Sequence, residues 1–517
     1  MIEARGLWQL VEARAAATPS ALFAVDEHER RLDFAGYRDA ALRVAAGLAA
    51  QGIGAETRVS WMLPTTLDAM VLCAALARLG AVQNPILPIY REREVRFIAR
   101  QTAARLLCVP GIWRGFDYAS MAREVAREEP DLRVLVVDSG LPEADPRALP
   151  HEPEPQDPAR APVRWHFYTS GTSADPKGAR HTDATLLASF RGMVRVLELV
   201  PDDRHGLVFP FTHVGGVGWL LAGLLAGFPH VVVAAFDPKT SIPFLASHDV
   251  TLAGAGTAFH QAYVAAQRAQ PGRPLFPRLR ALPGGGAPKP PALHEECKRW
   301  LGGVGIVSGY GLTECPIISM NSVRDPDEKL AHTEGRPNPP DAVIEVRRPD
   351  GTAAEHGEEG EIVARAPQQC RGYLDAAHDA DAFDARGFFR TGDLGRIDRE
   401  GYVVVTGRLK DVIIRKGENI SAREVEDLLY EHPKVADVAV IGLPDPASGE
   451  RCCAVVVARD AGAPLGFDEM AAFLRGRGLM VQKIPEQLEP LDALPRNASG
   501  KVRKQELREK FAASRGR

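Results

Sequence analysis

The chain has 517 residues, and its 63 Lys and Arg residues against 67 Asp and Glu residues give a formal net charge of −4. This near-neutral balance excludes a protein that binds nucleic acid through bulk positive charge, and it excludes a charged disordered tail as the main feature. With 45% hydrophobic residues the chain has the composition of a folded protein, and its length indicates about three structural units.

The first predicted elements alternate between helices and strands. Residues 40–50 are alanine-rich at helical spacing, residues 59–63 alternate as a strand, residues 67–79 are again helical, and residues 81–87 are apolar and extended. This order predicts a parallel sheet covered by helices. Residues 142–162, rich in Pro, Glu and Asp, predict a surface connection to a second α/β region.

The longest apolar stretch, residues 214–236, contains no Asp, Glu, Lys or Arg and is nearly long enough to span a bilayer. Five glycines and Pro229 interrupt it, and three consecutive valines at 231–233 have the composition of a buried strand. The stretch therefore predicts a core helix followed by a central strand, and not a membrane span.

The pattern changes again in the last third of the chain. Short strands between glycine turns, which together predict a small β unit, are found at residues 342–346, 361–364 and 402–405. After Arg408, strands and helices alternate on a smaller scale, and residues 421–424 form a capping box for a helix. Residues 496–517 carry eight basic and two acidic residues, and their simplest interpretation is a solvated tail.

The cysteines and the N-terminal residues indicate in which cellular compartment the protein is expected. The seven cysteines are dispersed and include no Cys-x-x-Cys pair, which predicts a reduced protein without a disulfide framework. Residues 1–5 lack the basic and apolar regions of a signal peptide. We therefore expect a cytoplasmic protein.

The strongest local motif is YTSGTSADPKG at residues 168–178, where hydroxyl groups surround a glycine turn and a lysine follows. Backbone N–H groups, hydroxyls and one cation suit a polyphosphate, although an ordinary polar surface loop is the alternative. No P-loop, intact G-x-G-x-x-G or H-E-x-x-H motif occurs, which argues against a P-loop NTPase, a Rossmann dehydrogenase and a zinc peptidase.

Five further segments follow in order: GGAP at 285–288, GYGLTE at 309–314, RTGDLG at 390–395, GRLKD at 407–411 with GENI at 417–420, and PRNASGK at 495–501. Together with the 168–178 motif they resemble the adenylate-forming superfamily of acyl-CoA synthetases, peptide-synthetase adenylation domains and luciferases. The resemblance covers essentially the whole chain. Three segments in combination are similar to cyclohexanecarboxylate and medium-chain fatty-acid CoA ligases: NPILPIYR at 84–91, the loop ending ADPKG at 174–178, and FTH at 211–213.

The resemblance implies an α/β multidomain fold. A large N-terminal AMP-binding domain at 1–409 would contain parallel α/β sheets, at about 1–162 and 163–335, and a small β unit at about 336–409. A small α+β lid would follow at 410–517. The implied reaction joins a carboxylate to the α-phosphorus of ATP, giving acyl-AMP and pyrophosphate, and a thiol then attacks the acyl carbon. ATP, Mg²⁺ and coenzyme A are the implied cofactors.

The same resemblance implies individual site residues. ATP would be contacted by Thr169, Ser170, Gly171, Thr172 and Lys177 at the β- and γ-phosphates, Gly285, Gly286, Ala287 and Tyr310 at adenine, Gly311 in the same motif, Thr313 at the α-phosphate, and Asp393 and Arg408 at the ribose. The reaction would use Glu314 as the Mg²⁺ ligand, Lys501 between the acyl carboxylate and the α-phosphate, Lys410 as the hinge, Gly417 beside the pantetheine tunnel and His213 at the acyl pocket.

A structural alternative stands beside five of these assignments. Asp393 could be a plain turn residue, Glu314 a helix cap, and Lys501 one more charge on a basic tail. Arg408 could only pair with a nearby carboxylate, and His213 could be a satisfied core histidine. Two departures from the family motifs are Ala174, which leaves the shape of the phosphate loop open, and Lys416 before Gly417, a cation beside the implied thiol tunnel that could favour an anionic acceptor such as CoA.

The predicted substrate is a hydrophobic acid. Residues 209–216 contain no carboxylate where amino-acid-activating relatives place one, and a buried ammonium without a partner is costly. We therefore predict an ATP-dependent CoA ligase for a medium-chain, alicyclic or steroid side-chain acid. The alternatives are an acyl-AMP ligase that loads a carrier protein and a non-catalytic acyl or AMP binder. No nucleic-acid partner is expected, and a homodimer is left open.

Overall fold

The computed structural model describes residues 1–138, 140–151, 160–169, 176–287, 289–415, 418–445, 449–497 and 500–512. Several sequence-based assignments lie outside the described residues: Ser170, Gly171, Thr172 and Gly417, together with the departures Ala174 and Lys416.

Helices and strands alternate along most of the described chain. The helices are α1 (Leu7–Ala17), α2 (Phe34–Ala50), α3 (Leu67–Arg78), α4 (Glu92–Thr102), α5 (Tyr118–Glu128), α6 (Asp183–Val196), α7 (Val214–Ala226), α8 (Pro238–Ser247), α9 (Thr257–Ala269), α10 (Pro291–Trp300), α11 (Asp327–His332), α12 (Asp379–Ala382), α13 (Ala422–Tyr430), α14 (Phe467–Gly476) and α15 (Lys504–Phe511).

The strands are β1 (Leu22–Asp26), β2 (Arg31–Asp33), β3 (Arg58–Trp61), β4 (Val82–Pro85), β5 (Leu106–Val109), β6 (Ile112–Trp113), β7 (Phe116–Asp117), β8 (Arg133–Val136), β9 (Trp165–Thr169), β10 (Lys177–His181), β11 (His205–Leu207), β12 (His230–Val232), β13 (Leu252–Ala253), β14 (Leu282–Gly285), β15 (Ile306–Tyr310), β16 (Ser319–Met320), β17 (Arg336–Pro337), β18 (Val343–Arg347), β19 (Gly360–Arg365), β20 (Phe389–Ile397), β21 (Val403–Arg408), β22 (Val412–Arg415), β23 (Glu418–Ser421), β24 (Val435–Asp445), β25 (Gly449–Ala458) and β26 (Gln487–Leu491).

Two mainly parallel sheets form the centre of the large N-terminal domain. One has the order β13-β11-β12-β1-β2 and the other β10-β9-β4-β3-β5-β8, with only the edge strands β2 and β10 antiparallel to their neighbours. One large core cluster joins strands of both sheets to helices α1, α2, α3, α6 and α7. The predicted parallel α/β architecture is confirmed. The predicted division of the two sheets at about residue 162 is wrong, because each sheet combines strands from before and after that residue.

The apolar stretch at residues 214–236 forms helix α7 and strand β12, as predicted. Helix α7 is buried on nearly all sides because it packs against α1 and α6 inside the core. A Cβ at Gly218 would lie 1.8 Å from the ring of Phe190 on α6, so the glycine allows the two helices to approach closely. Among the described residues, no helix has both the length and the apolarity needed to cross a bilayer.

Three further sheets follow in the chain, and the first of them has the order β14-β15-β16-β17. Strands β18 to β21 form a four-stranded antiparallel sheet, which is the predicted β unit. The small C-terminal domain is built on the sheet β23-β22-β25-β24, where β26 pairs parallel to β25. Ser421 caps α13 by accepting a hydrogen bond from the Glu424 N–H, as the capping motif predicts.

The interpretation of residues 496–517 as a solvated tail is wrong for the part that the structure describes. Residues 504–511 form helix α15, and its side chains Leu507 and Phe511 are buried against β24 and β25. These two residues lie four positions apart and therefore share one helix face. The abundance of basic residues concealed this short apolar face.

Candidate functional site

Two neighbouring parallel strands end at the first part of the site. Strands β14 and β15 pair in register so that Gly285 lies opposite Gly309. A Cβ at Gly285 would lie 2.9 Å from the Gly309 carbonyl oxygen, so only glycine allows this approach. Tyr310 ends β15, and Gly286 has a φ of +73° beside open space. The residues predicted to bind adenine thus meet at the carboxyl ends of parallel strands, where α/β proteins bind ligands.

Gly311 has a different environment from the other glycines of the site. A Cβ at this position would lie 2.2 Å from the backbone nitrogen of Ile317. Gly311 therefore lets the chain fold back on itself after Tyr310, and this fold-back sets the position of the residues that follow.

Asp393 is a buried carboxylate held by two side chains. The Tyr310 hydroxyl donates to its Oδ2 at 2.7 Å, and the Arg408 Nε donates to its Oδ1 at 2.5 Å. Asp393 lies within strand β20, directly opposite Arg408 on β21, so the alternative of a plain turn residue is wrong. Arg408 does pair with a nearby carboxylate, and that carboxylate is the predicted ribose ligand itself. Burial and the Asp393 charge raise the pKa of Tyr310 well above its usual value.

Glu314 is buried just beyond β15. Its Oε1 accepts a hydrogen bond of 2.7 Å from the Tyr373 hydroxyl, and its backbone carbonyl accepts one of 2.8 Å from the Cys370 N–H. The next helix along the chain, α11, begins only at Asp327, so Glu314 is not a helix cap. The neighbouring Thr313 carbonyl lies 2.8 Å from His181 Nε2, which fixes the backbone of the predicted α-phosphate contact.

Strands β9 and β10 place the two ends of the predicted phosphate loop. They pair antiparallel with Thr169 opposite Lys177, so the intervening residues connect two directly paired positions. The Lys177 ammonium lies 5.6 Å from the centre of the Tyr373 ring. This distance is that of a cation–π contact.

Tyr373 is the site residue that sequence reasoning missed. Its hydroxyl contacts Glu314 and its ring faces Lys177, so it connects the predicted metal ligand to the predicted phosphate cation. Its position comes from backbone pairing: the Leu374 N–H donates to the Gly178 carbonyl, and the Arg180 N–H donates to the Gly372 carbonyl. The only signal in the sequence was the Gly-Tyr pair at 372–373, which is too short to stand out.

The C-terminal domain brings Lys501 to this site. Desolvation lowers the pKa of Lys501 to about 8, as does the charge of Arg408, while Asp393, Asp411 and Glu314 act in the opposite direction. The loop before it is held by the Lys501 N–H, which donates to the Asn497 side chain at 2.9 Å. A charge that interacts with so many site residues is not one more cation on a solvated tail.

Gly500, next to Lys501, lies beside the N-terminal domain. Its φ is +81°, and a Cβ built there would lie 3.7 Å from the Cβ of Ala258 and 3.8 Å from the ring of Phe259. These two residues lie in the first turn of helix α9. The turn that carries Lys501 therefore rests on the N-terminal domain close to the Gly285 strand end.

His213 lies at the start of α7. Its Nδ1 accepts a hydrogen bond of 3.0 Å from the Gly215 N–H, so the proton of the neutral ring is on Nε2. Burial, and secondarily the charge of Lys501, lower the pKa of His213 to about 4. The ring meets Phe209 edge-on, with centroids 4.9 Å apart. His213 is thus a neutral donor near Lys501.

Lys410 lies in a short 3₁₀ turn, Leu409–Asp411, between β21 and β22. The turn is flanked by two contacts: Asp411 pairs with Arg508 at 2.7 Å, and the Ser421 hydroxyl donates to the Thr406 carbonyl at 2.7 Å. This turn connects the sheet that carries Asp393 with the C-terminal domain, which is the place expected for a hinge.

Comparison with known proteins identifies the class to which this fold and site belong. The family model described as AMP-binding enzyme matches residues 11–374, and that of the AMP-binding enzyme C-terminal domain matches residues 424–501. The chain belongs to the AMP-binding enzyme family, and it is an acid–thiol ligase of the adenylate-forming superfamily.

Relatives match over nearly the full chain. The medium-chain fatty-acid–CoA ligase of Escherichia coli is 30% identical over 98% of this chain and 91% of its own length. The salicyl-AMP ligase / salicyl-S-ArCP synthetase of Mycobacterium tuberculosis is 33% identical, with coverages of 92% and 85%. The crystal structure of ATP-bound MatB from Rhodopseudomonas palustris superposes with a TM-score of 0.85 at 25% identity, covering 98% of this chain and 99% of MatB.

The Tyr373→Phe substitution tests the contact between Tyr373 and Glu314. It removes the hydroxyl while the ring stays beside Lys177, and we expect the rate of acid-dependent ATP–pyrophosphate exchange to fall about tenfold, because a hydrogen bond to a charged group contributes roughly 1.5–3 kcal/mol. Tyr402→Phe is the matched control, since Tyr402 donates to Asp325 at 2.9 Å and faces Lys329 at 4.9 Å. Equal exchange rates in the two variants would remove Tyr373 from the site.

The pH dependence of adenylation tests the state of Lys501. Its pKa is lowered to about 8, so the ammonium is present below pH 8 and lost as the pH rises through that value. We expect kcat/KM for pyrophosphate exchange to decline above about pH 8, because this ratio reports groups of the free enzyme. Lys501→Arg keeps its charge and should lack the decline; the same decline in that variant would assign it to another group.

Proposed function

We propose that the protein is an ATP-dependent acid–CoA ligase that forms an acyl-AMP and then an acyl-CoA. The observation that carries the proposal is the position of the Lys501 turn against the start of α9, with the ammonium within electrostatic reach of Arg408, Asp393 and Glu314. A carboxylate and a triphosphate repel each other, so their reaction needs fixed cations and N–H donors where they meet. The site offers such groups at the interface between the two domains.

In the first half-reaction, a carboxylate oxygen attacks the α-phosphorus of ATP, the bond from that phosphorus to the bridging oxygen breaks, and pyrophosphate leaves. Lys501 contacts both the acyl carboxylate and the α-phosphate and offsets their charge. Asp393 accepts hydrogen bonds from the ribose, and Tyr310 lies against adenine. The donor set also suits Mg²⁺, which binds through one or two carboxylates together with substrate phosphates, and Glu314 supplies the carboxylate. Mg²⁺ would neutralise phosphate charge.

In the second half-reaction, the thiolate of CoA attacks the acyl carbon, the bond to the phosphate oxygen breaks, and AMP leaves. The C-terminal domain, proposed as a lid at residues 410–517, rotates about Lys410 between the two steps. This rotation withdraws Lys501 and brings the segment around Gly417 towards the acyl group. The position of Lys410 in a connecting turn supports this assignment.

The proposed acid is hydrophobic and carries a single carboxylate: a medium-chain, alicyclic or steroid side-chain acid. The segment around His213 is apolar and offers no anion for an amino group. A neutral His213, with its proton on Nε2, can donate to the acid without attracting a second negative charge. The similarity to the medium-chain fatty-acid–CoA ligase is consistent with this class.

A second candidate is an acyl-AMP ligase that loads a carrier protein. It is favoured by the similarity to the salicyl-S-ArCP synthetase and to the 2,3-dihydroxybenzoate-AMP ligase of Bacillus subtilis, which is 31% identical over 90% of this chain. Both candidates share the first half-reaction, so they differ only in the thiol that accepts the acyl group.

A panel of acids separates the two candidates. Octanoate, cyclohexanecarboxylate, a steroid side-chain acid and salicylate are each assayed for pyrophosphate release with and without CoA. We expect the strongest signal with one of the non-aromatic acids and continuous turnover only when CoA is present. Pyrophosphate release that CoA does not accelerate would support the carrier-protein candidate, and no release with any acid would contradict the adenylating function.

The Lys501→Ala substitution tests the assignment of Lys501 to the first half-reaction. We expect pyrophosphate exchange to fall by about 100-fold or more, because one preorganised charge-stabilising donor contributes that much. Thioester formation from supplied acyl-AMP should stay near the wild-type rate. Lys504→Ala is the control, since Lys504 pairs with Glu426 at 2.8 Å within the C-terminal domain. Equal losses in both half-reactions would contradict the assignment.

A further inference from the structure

A buried ion pair crosses the interface between the two domains at a second place. Arg423, in the first turn of α13, donates through Nη2 to Oε1 of Glu334 at 3.2 Å. The two side chains are only 15% and 8% exposed. Glu334 follows α11 in the N-terminal domain and has no part in the nucleotide site described above. Because both charges are removed from water, this contact depends strongly on the domain arrangement.

Each charge of the pair also has a partner within its own domain that does not depend on the interface. Glu334 accepts a hydrogen bond of 2.5 Å from the Ser308 hydroxyl and interacts with the buried ammonium of Lys289. On the other side, Arg423 Nε lies 3.6 Å from Asp427, one turn further along α13. When the domains separate, neither charge is left without a partner, so the contact can open and close.

Contacts inside the C-terminal domain connect this pair to Lys501. Helix α13 ends at Tyr430, whose hydroxyl donates to Asp437 on β24 at 2.5 Å. Arg496 donates through Nη2 to the other oxygen of Asp437, Oδ2, at 2.6 Å, and through Nη1 to the Gly500 carbonyl. Helix α13 and the Lys501 loop therefore belong to one hydrogen-bonded unit. A contact that holds the start of α13 against the N-terminal domain also holds the Lys501 loop in place.

We propose that Arg423 and Glu334 are positioning residues that hold the C-terminal domain in the arrangement in which Lys501 reaches the nucleotide site. Their contact favours the first half-reaction, and it breaks when the domain rotates for thiol transfer. This inference rests on the proposed two-step function. The inference predicts that loss of the ion pair slows acyl-AMP formation and does not slow thioester formation.

The two half-reactions are measured separately on the full-length enzyme, with whichever acid of the panel is active. Glu334→Gln and Arg423→Gln should each lower acid-dependent ATP–pyrophosphate exchange about fivefold or more, the size of a typical coupling between two states. Thioester formation from supplied acyl-AMP and CoA should be unchanged or faster. The double variant should be no slower in exchange than the slower single variant.

Glu296→Gln is the matched control. Glu296 also pairs across the interface, with Arg459 at 3.6 Å, but these side chains are 27% and 38% exposed, and Glu296 has a second partner in Arg268. We expect this variant to keep both rates, because exposed pairs contribute little. Thermal unfolding checks each variant, and Arg423→Gln provides the test if Glu334→Gln does not fold.

Two results would overturn the inference. Equal losses in both half-reactions would show that the pair stabilises the fold, and two unchanged rates would show that it does not position Lys501. Failure of the underlying function is distinct, because a wild-type enzyme that exchanges pyrophosphate with none of the acids would remove the two-step reaction itself.

Discussion

The partly desolvated ammonium of Lys501, and its interaction with charges of the N-terminal domain, is the feature on which the rest of this site depends. Lys501 comes from the small domain, and three of the four charges that act on it, Asp393, Glu314 and Arg408, come from the N-terminal part of the chain, while Asp411 comes from the small domain itself. A buried cation is stable only where its surroundings compensate for the lost hydration. The site is therefore complete only when the two domains are in contact.

Asp393, one of the charges that act on Lys501, is held in place by two side chains from different sheets. One of its oxygens is held by Tyr310 at the end of a parallel strand, and the other by Arg408 on the antiparallel sheet. A carboxylate oxygen has more than one lone pair, so it can accept further hydrogen bonds from a ribose while these contacts remain. Asp393 thus links the two sheets through Tyr310 and Arg408 and keeps the capacity to accept hydrogen bonds from the ribose in the proposed function.

The sequence was sufficient where the information is local. The spacing of apolar residues predicted α2, α3 and α7, and glycine-containing motifs marked the strand ends that build the nucleotide site. It was insufficient where a residue's role comes from distant pairing. Tyr373 reaches Glu314 only because residues 372–374 pair with β10, and Arg423 meets Glu334 across 89 positions. The charge count of the last segment likewise hid the apolar face of α15, which depends on the spacing of Leu507 and Phe511 and not on composition.

The distribution of charges across the interface explains how such a closed arrangement can remain reversible. A pair whose members had no other partner would leave a bare buried charge on opening, at a cost of several kcal/mol for each ion. Here Glu334 keeps the Ser308 hydrogen bond and the electrostatic influence of Lys289, and Arg423 keeps Asp427. Both charges are therefore stabilised with or without the contact between the domains. The contact contributes only the free-energy difference between the closed and the open arrangement. In the proposed two-step reaction the domain first delivers Lys501 and then withdraws it, and that sequence needs such a contact, because a stronger one would hold the enzyme in its first half-reaction.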